Sequence, residues 1–347
     1  MARESLETTS IRPLFDAEPR KLGAGWGVDR VMDDVCVIIV SHNGKRWLDG
    51  CLGSLFAAAG EMALDVVVVD NGSDGSAAYV EEWFPQARTM RCQNRGFGAA
   101  NNVALATADA RYVLFLNPDT EFLDGSLEDL VQVLDKRPDV GLAGVRQLGG
   151  DDRLAPSMRR FPSTLNMLAE AFAIERVPLA RRFLGERVVD PARYERESAC
   201  DWTSGSFMLA AREALDGRGF DERFFLFSEE TDLCRRLKDE GWRVIHSPLV
   251  TIRHFESERS ATPRMEAQAA YARLQFARKH FARVAPYRRA MILRYALRSR
   301  REAARAALAT LLKDRPPIVA PVPPRPQETI VKAPGAAFSS TRSRSPM

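Results

Sequence analysis

An α/β fold, a Rossmann-like and mostly parallel sheet flanked by helices, is predicted by three observations. Short continuous apolar runs alternate with helix-spaced segments between Val35 and Val145. The connections between them are short. Several apolar runs end in Asn or Asp. Strands that are apolar on both sides belong to sheets covered on both faces, and alternation with helices makes those sheets parallel.

The elements follow in order. Val35–Val40 is a strand-length apolar run that ends in Ser41-His42-Asn43-Gly44, and Arg46–Ala59 carries Trp47, Leu48, Leu52, Leu55 and Phe56 at helical spacing. Leu64–Val69 is a second buried strand, closing on Asp70-Asn-Gly-Ser-Asp-Gly75. Ala77–Phe84 reads as a helix, Arg88–Cys92 as a short strand and Ala99–Ala106 as a helix. Tyr112–Leu116 is a strand running into Asn117-Pro-Asp-Thr120, followed by a helix at Ser126–Leu134 and a strand at Val140–Val145. Residues 151–200 are irregular and arginine-rich, an excursion over the sheet. Regular pattern returns with a strand at Trp202–Ala211 that holds Ser204-Gly-Ser206, a helix at Glu229–Glu240, and short strands at Val244–Ile245 and Val250–Ile252. Met265–Leu312 is largely helical, with a break near Ala285-Pro286.

The domain organisation expected from this pass is an irregular leader (1–33), a catalytic domain (34–258), a basic helical extension (259–312) and a Pro/Ser/Arg-rich disordered tail (313–347). The tail holds too few apolar residues to bury a core. Charge divides along the same line. From Arg259 onward there are 19 Lys/Arg against 4 Asp/Glu, whereas residues 1–258 carry 31 against 42, so the total of +4 hides an acidic body and a basic extension.

Several classes are excluded. No run approaches the roughly 20 apolar residues that a membrane-spanning helix needs. The N-terminus lacks an apolar signal-peptide core, and the five scattered cysteines form no C-x-x-C pair, so reduced thiols and a cytoplasmic location are expected. No dinucleotide fingerprint follows the first strand, and no P-loop or G-x-S-x-G elbow is present.

In parallel α/β sheets ligands bind beyond the carboxyl ends of the strands. Here those ends carry Ser41, His42 and Asn43, then Asp70 and Asn71, Asn94, and Asn117 with Asp119. Asp119 could bind a hard divalent cation, since Mg²⁺ and Mn²⁺ take one or two carboxylates plus substrate phosphates; Asn-Pro-Asp is equally the composition of a turn. Glu229, Glu230 and Asp232 open a helix after Phe224-Phe-Leu-Phe227. Acids in a first turn complement the helix dipole, with Ser228 as an N-cap, and acids beside an aromatic patch also suit general-base work. His246 and His254 each end a strand and could ligate a metal or simply be structural.

Taken together, the spacing resembles the family 2 glycosyltransferases of GT-A fold, particularly the rhamnosyltransferase-like branch, over about residues 34–258. Eight segments carry the resemblance in order: Val37–Asn43, Val68–Asp74, Asn94–Asn102, Phe115–Thr120, Ser204–Met208, Gly219–Phe225, Glu229–Arg235 and Gly241–Val244, closing at His254. The resemblance implies an inverting transfer of a sugar, such as rhamnose or another hexose, from a dTDP- or UDP-sugar to a glycan or lipid-linked acceptor in cell-envelope polysaccharide biosynthesis. It implies that Ser41, Asn43 and Asp70 hold the nucleoside, that Asn94 and Asn102 border its pocket, and that Ser204 and Gly205 line the sugar cleft beside Asn117. It further implies a Mn²⁺ or Mg²⁺ held by Asp119 and His254, and Glu230 as the base, supported by Glu229 or Asp232. Two departures stand out. The family usually has Asp where this chain has Glu230, and misplacing a catalytic group by about 1 Å can cost ~10²-fold in rate. His42 stands where tyrosine is common. The alternative is a non-catalytic sugar-nucleotide or glycan-binding protein on the same fold.

The extension lies outside the resemblance. Over Arg288–Leu312 a single helix would place Leu293, Leu297, Ala304 and Leu308 on one face, with arginines on the others. Such a helix suits either an anionic membrane surface or docking on the acidic body. Nucleic acid is not expected as a partner, because no aromatic platform accompanies the arginines.

Overall fold

The computed structural model describes residues 33–255, 262–317 and 331–332. The irregular leader and most of the expected disordered tail therefore lie outside the described residues.

The chain enters the sheet at β1 (Asp33–Ser41), followed by α1 (Leu48–Ala58), β2 (Leu64–Asp70), α2 (Ser76–Trp83), β3 (Arg88–Arg91), α3 (Phe97–Leu105) and β4 (Ala110–Leu116). These strands are parallel in the order β3-β2-β1-β4. The chain therefore steps outward from β1 to β3 and returns to place β4 on the other side of β1. That reversal between β1 and β4 is where an open α/β sheet leaves a crevice at its carboxyl edge. Register sets Ser41 level with Asp70, and Ile39 level with Leu116, so Asn117 emerges level with Val40, one residue before Ser41.

Alternate residues of β1 feed two separate cores, which is why its apolar run is unbroken. Val35, Val37 and Ile39 pack with Leu48, Leu52 and Leu55 of α1. Cys36, Ile38 and Val40 pack on the opposite face with Ala100 and Ala104 of α3. No disulfide joins the five cysteines.

The second half of the sheet is mixed. After β5 (Thr120–Asp124), α4 (Leu127–Asp135) and β6 (Val140–Gly149) comes the excursion, which is more regular than its sequence suggested. It contains β7 (Met158–Arg159), α5 (Thr164–Ala171), α6 (Pro178–Leu184) and β8 (Ser198–Ala199). The strand expected over Trp202–Ala211 is two pieces, β9 (Trp202–Thr203) and β10 (Phe207–Ala211), because a turn at Ser204–Ser206 interrupts it. β10 lies antiparallel between β4 and β6. After α7 (Arg212–Leu215) and α8 (Glu229–Asp239), β11 (Arg243–His254) runs as one strand where two were expected, parallel to β6 and antiparallel to β5. A register shift between Ser247 and Thr251 accommodates the polar interruption that suggested two strands.

The extension is three helices: α9 (Pro263–His280), α10 (Val284–Leu297) and α11 (Glu302–Lys313). The break expected near Ala285-Pro286 lies just before it, at residues 281–283, and Pro286 itself sits in the first turn of α10, where a missing N–H costs nothing. The break at residues 298–301 divides the expected basic amphipathic helix into α10 and α11, and only the α11 part of the expected face, Ala304 and Leu308, packs into the core. Tyr287, Ala290, Met291 and Tyr295 of α10 and Ala304, Ala307 and Leu311 of α11 are buried against α9 and Met167 of α5, while Leu297 is 57% exposed. Arg294 pairs with Glu170 at 2.8 Å and Arg298 donates to the Glu170 carbonyl, so these helices dock on the body through both apolar and charged contacts. No helix among the described residues is long and apolar enough to cross a membrane. Beyond α11 the described part of the tail includes β12 (Val331–Lys332), antiparallel to β3.

Candidate active site

Four loops meet at the carboxyl edge of the parallel strands. At the end of β1, Ser41 is buried and its hydroxyl lies 2.8 Å from that of Ser76, which also donates to Asp74 at 2.6 Å. At the end of β2, Asp70 accepts from the backbone N–H groups of Gly72 at 3.0 Å and Ala77 at 2.9 Å. Two backbone donors fix the carboxylate and leave its other lone pairs available. Asn43, exposed and at φ 55°, accepts from the Ser73 N–H at 2.8 Å, tying the first loop to the second. After β3, Asn94 accepts from Gly96 N–H at 3.1 Å, and its amide nitrogen is 3.4 Å from Nδ1 of the His42 ring. Ser41, Asn43, Asp70 and Asn94 thus stand at neighbouring strand ends, Ser41 and Asp70 buried and His42 and Asn43 exposed above them.

The second group is centred on β4. Asn117 donates its backbone N–H to the Ser206 carbonyl at 3.0 Å. Its side-chain nitrogen lies 3.4 Å from Nε2 of His254, and the same Nε2 lies 3.4 Å from Oδ1 of Asp119. Asp119 and His254 are both buried, so a carboxylate and an imidazole face each other out of bulk water. Their neighbourhood is held by Phe255, whose N–H donates to the Asp119 carbonyl at 3.0 Å. The other histidine considered, His246, is a core residue: its Nε2 is 3.2 Å from the Tyr194 carbonyl, and burial lowers its pKa below the ordinary histidine range.

The Ser204–Ser206 turn links this group to the acidic helix. Asn117 holds it from one side. On the other, a Cβ placed on Gly205 would stand 3.7 Å from Cβ of Glu230, so the turn and the acid are direct neighbours. The Ser204 and Ser206 hydroxyls are 3.1 Å apart, and Ser206 donates to Gln147 at 2.9 Å.

The three acids in the first turn of α8 have different surroundings. Glu230 is half-buried beside Gly205. Glu229 is buried, its Oε2 has no hydrogen-bond partner, and burial, together with the neighbouring Glu230, pushes its carboxyl well above the usual range. An acid driven towards its neutral form is a poor proton acceptor. Asp232 does not join the site. It is fully buried, and it receives His280 Nε2 at 2.7 Å, Lys279 Nζ at 2.7 Å and Arg236 Nε at 2.9 Å. Burial alone would raise its pKa, but these three partners outweigh it and hold the carboxyl below the ordinary value of 3.8. Ser228 stands at the N-cap position, yet its side chain makes no capping bond and its φ of 66° is left-handed.

Asn102 also falls outside the pocket. Its Oδ1 accepts from the Phe220 N–H at 2.8 Å and its amide donates to the Phe220 carbonyl at 2.9 Å, which pins the loop before α8 onto α3. The neighbouring Gly96 has a different duty. At φ 110° a side chain there would place its Cβ 2.2 Å from the Phe225 carbonyl oxygen, so only glycine lets the two loops meet.

Comparison with known proteins bears on this arrangement. The family description "Glycosyl transferase family 2" matches residues 36–188. The N-acetylglucosaminyl-diphospho-decaprenol L-rhamnosyltransferase of Mycobacterium tuberculosis is 30% identical over 244 residues, covering 65% of this chain and 78% of that protein. The chain belongs to glycosyl transferase family 2. Rhamnosyltransferase WbbL of Escherichia coli, 25% identical over 230 residues and covering 64% of this chain and 83% of its own, places the protein in the rhamnosyltransferase-like branch of that family. Among solved structures, GalNAc-T7 with UDP, GalNAc and Mn²⁺ superposes with a TM-score of 0.54 at 13% identity, covering 82% of this chain and 57% of that one, a likeness of GT-A fold alone. As a family 2 member the protein is a nucleotide-sugar-dependent glycosyltransferase, not the binding protein that the sequence also allowed.

Three residues near this family 2 site were not singled out in the sequence. Gln147 is buried on β6, with its Nε2 unpartnered and its Oε1 on Ser206, and only the pairing of β6 with β10 and β11 brings it there. His280 and Lys279 arrive from α9, nearly fifty residues beyond Asp232, and no local pattern announces that contact.

Proposed function

We propose that the protein is a metal-assisted, inverting glycosyltransferase that moves rhamnose or a related hexose from a nucleoside diphosphate to a lipid-linked or glycan acceptor. The observation that carries this reading is the Ser204–Ser206 turn, bonded to Asn117 on the Asp119/His254 side and abutting Glu230 on the other. A sugar lying over that turn would have its leaving group towards Asp119 and its attacked face towards Glu230.

Each half has a defined task. Ser41, Asn43, Asp70 and Asn94 bind the nucleoside, with the Asp70 carboxylate as acceptor for a ribose or base donor. Asp119 and His254 suit a divalent ion: an oxygen and a nitrogen donor 3.4 Å apart, shielded from water. Among the described residues no group of three or more His, Cys, Asp or Glu is placed to hold a metal ion by itself, so substrate phosphates would complete the coordination shell, as hard divalent ions commonly arrange. When bound there, the ion would offset charge growing on the departing diphosphate. Asn117, Ser204 and Gly205 orient the sugar. Glu230 takes the proton from the acceptor hydroxyl as its oxygen bonds to the anomeric carbon and the bond to the diphosphate breaks. Displacement from the opposite face inverts that carbon. Glu229, driven towards its neutral form, supports the helix without competing for the proton.

The relatives' names support this substrate class: both are rhamnosyltransferases, and the mycobacterial one is named for a decaprenol-linked acceptor. A lipid-linked acceptor puts the enzyme in the cytoplasm against the inner face of the membrane, in cell-envelope polysaccharide synthesis. Incubation with dTDP- and UDP-sugars and Mn²⁺ tests the reading. Nucleoside diphosphate should be released, and Asp119→Ala should abolish release while leaving the fold intact. Equal release by Asp119→Ala, or release unaffected by a chelator, overturns the metal assignment.

A further inference from the structure

The excursion between β7 and β8 exposes an apolar surface that the catalytic reading does not use. Six of the eleven exposed large hydrophobic side chains among the described residues lie between Leu165 and Phe183. Leu165 and Phe172, seven apart along α5 and its C-cap, are each 60% exposed. Ile174 and Val177 follow at 40% and 55%, then Leu179 and Phe183 on α6 at 71% and 67%. Residues three, four and seven apart share a helix face, so Leu179 and Phe183 project together from α6.

This surface is held firmly from beneath. Arg160 donates through Nη1 to the Gly185 carbonyl and through Nη2 to the Arg182 carbonyl, both at 2.6 Å, closing the free C-terminal carbonyls of α6. α5 is docked on α10 through Met167 in the shared core and through the Arg294–Glu170 ion pair. The outward apolar side chains are therefore not the loose face of an unfolded segment.

Charge identifies what covers it. Between Arg176 and Arg187 the exposed charged side chains are all basic, namely Arg176, Arg181, Arg182 and Arg187. The acid in that stretch, Glu186, is buried against Arg273. Protruding leucine and phenylalanine flanked by arginine match the boundary between acyl chains and anionic headgroups, where the guanidinium stem and head both find suitable surroundings. A second copy is a poor fit, because a two-fold contact would set these arginines against one another.

We propose that the α5–α6 segment, and not the basic C-terminal helices, is the surface by which the protein rests on an anionic lipid bilayer. The proposal takes its purpose from the lipid-linked acceptor, but the binding itself needs neither donor nor acceptor. It is tested by co-sedimentation of the full chain with phosphatidylcholine vesicles, with and without phosphatidylglycerol. Binding should be stronger with the anionic lipid and weaken with salt. Leu179→Asp/Phe183→Asp should lower the partition coefficient by about tenfold or more, since two apolar side chains lose their burial. Leu312→Asp, a change at another exposed apolar position (59%) on α11, should leave it unchanged. Hydrolysis of the nucleotide sugar without lipid should be equal in all three proteins, which separates this surface from the catalytic site. The proposal is overturned if the wild type binds neither vesicle, if the double variant binds as the wild type does, or if Leu312→Asp loses binding equally. It is also overturned if the double variant instead abolishes a concentration-dependent dimer seen by light scattering.

Discussion

Two faces of α8 begin from the same acidic first turn and end in opposite roles. On one face Glu230 stands half-buried beside the Ser204–Ser206 turn, where a substrate hydroxyl could reach it. On the other, Asp232 is sealed under Lys279, His280 and Arg236, and it fastens α8 to α9. A buried carboxylate is tolerable only when paired, and the three cations closing over Asp232 mark it as a structural anchor. Proximity in sequence does not.

The comparison is broken most severely at the anchor. Asp232→Asn should destabilise the protein by about 3 kcal/mol, because three donors lose a charged acceptor inside the fold. Urea unfolding would measure it, and a change below about 0.5 kcal/mol would mean that α9 does not rely on this contact. Gly96→Ala should cost about 2 kcal/mol, since φ 110° and the approach to Phe225 leave no room for a methyl group. Its activity should fall with the loss of the loop contact that precedes α8.

Acid should loosen the anchor only at low pH. The Asp232 pKa is held below 3.8, so its contribution is fully present above that value and is lost as pH falls through the lower folded pKa. Lys279→Met should shrink the acid-side loss of stability, read as Tm between pH 5 and pH 2; an unchanged slope would assign that loss to other carboxylates. The smallest structural effect belongs to Gly205→Ala. Its new Cβ would make ordinary contact with Glu230 at 3.7 Å, so stability should stay within about 0.5 kcal/mol while the KM for acceptor rises. An unchanged KM would put the acceptor elsewhere.

The parallel half of the fold was legible because each strand is a local apolar run ending in a polar loop, as Val35–Val40 and Tyr112–Leu116 illustrate. The strand-end residues Ser41, Asn43, Asp70 and Asn94 could be read with them, since strand ends gather by topology alone. The mixed half was less legible. β10 enters antiparallel between β4 and β6, and nothing local in Phe207–Ala211 states its direction or partner. The same limit explains Asp232 and Asn102. Their residue types and spacing suited a site, but partners 47 and 118 residues away claimed them. The expected single helix over Arg288–Leu312 failed for a related reason: the α10–α11 break at residues 298–301 lets two short helices bury separate faces on α9.

The most direct test of the active-site account is the rate of sugar transfer by Glu230→Gln, measured beside its affinity for the nucleotide-sugar donor. Glutamine keeps the size of the side chain and removes the proton acceptor. The account predicts transfer slowed by about 10²–10⁴-fold, with donor affinity and Tm unchanged. Transfer at near wild-type rate would contradict it and move the base to another residue.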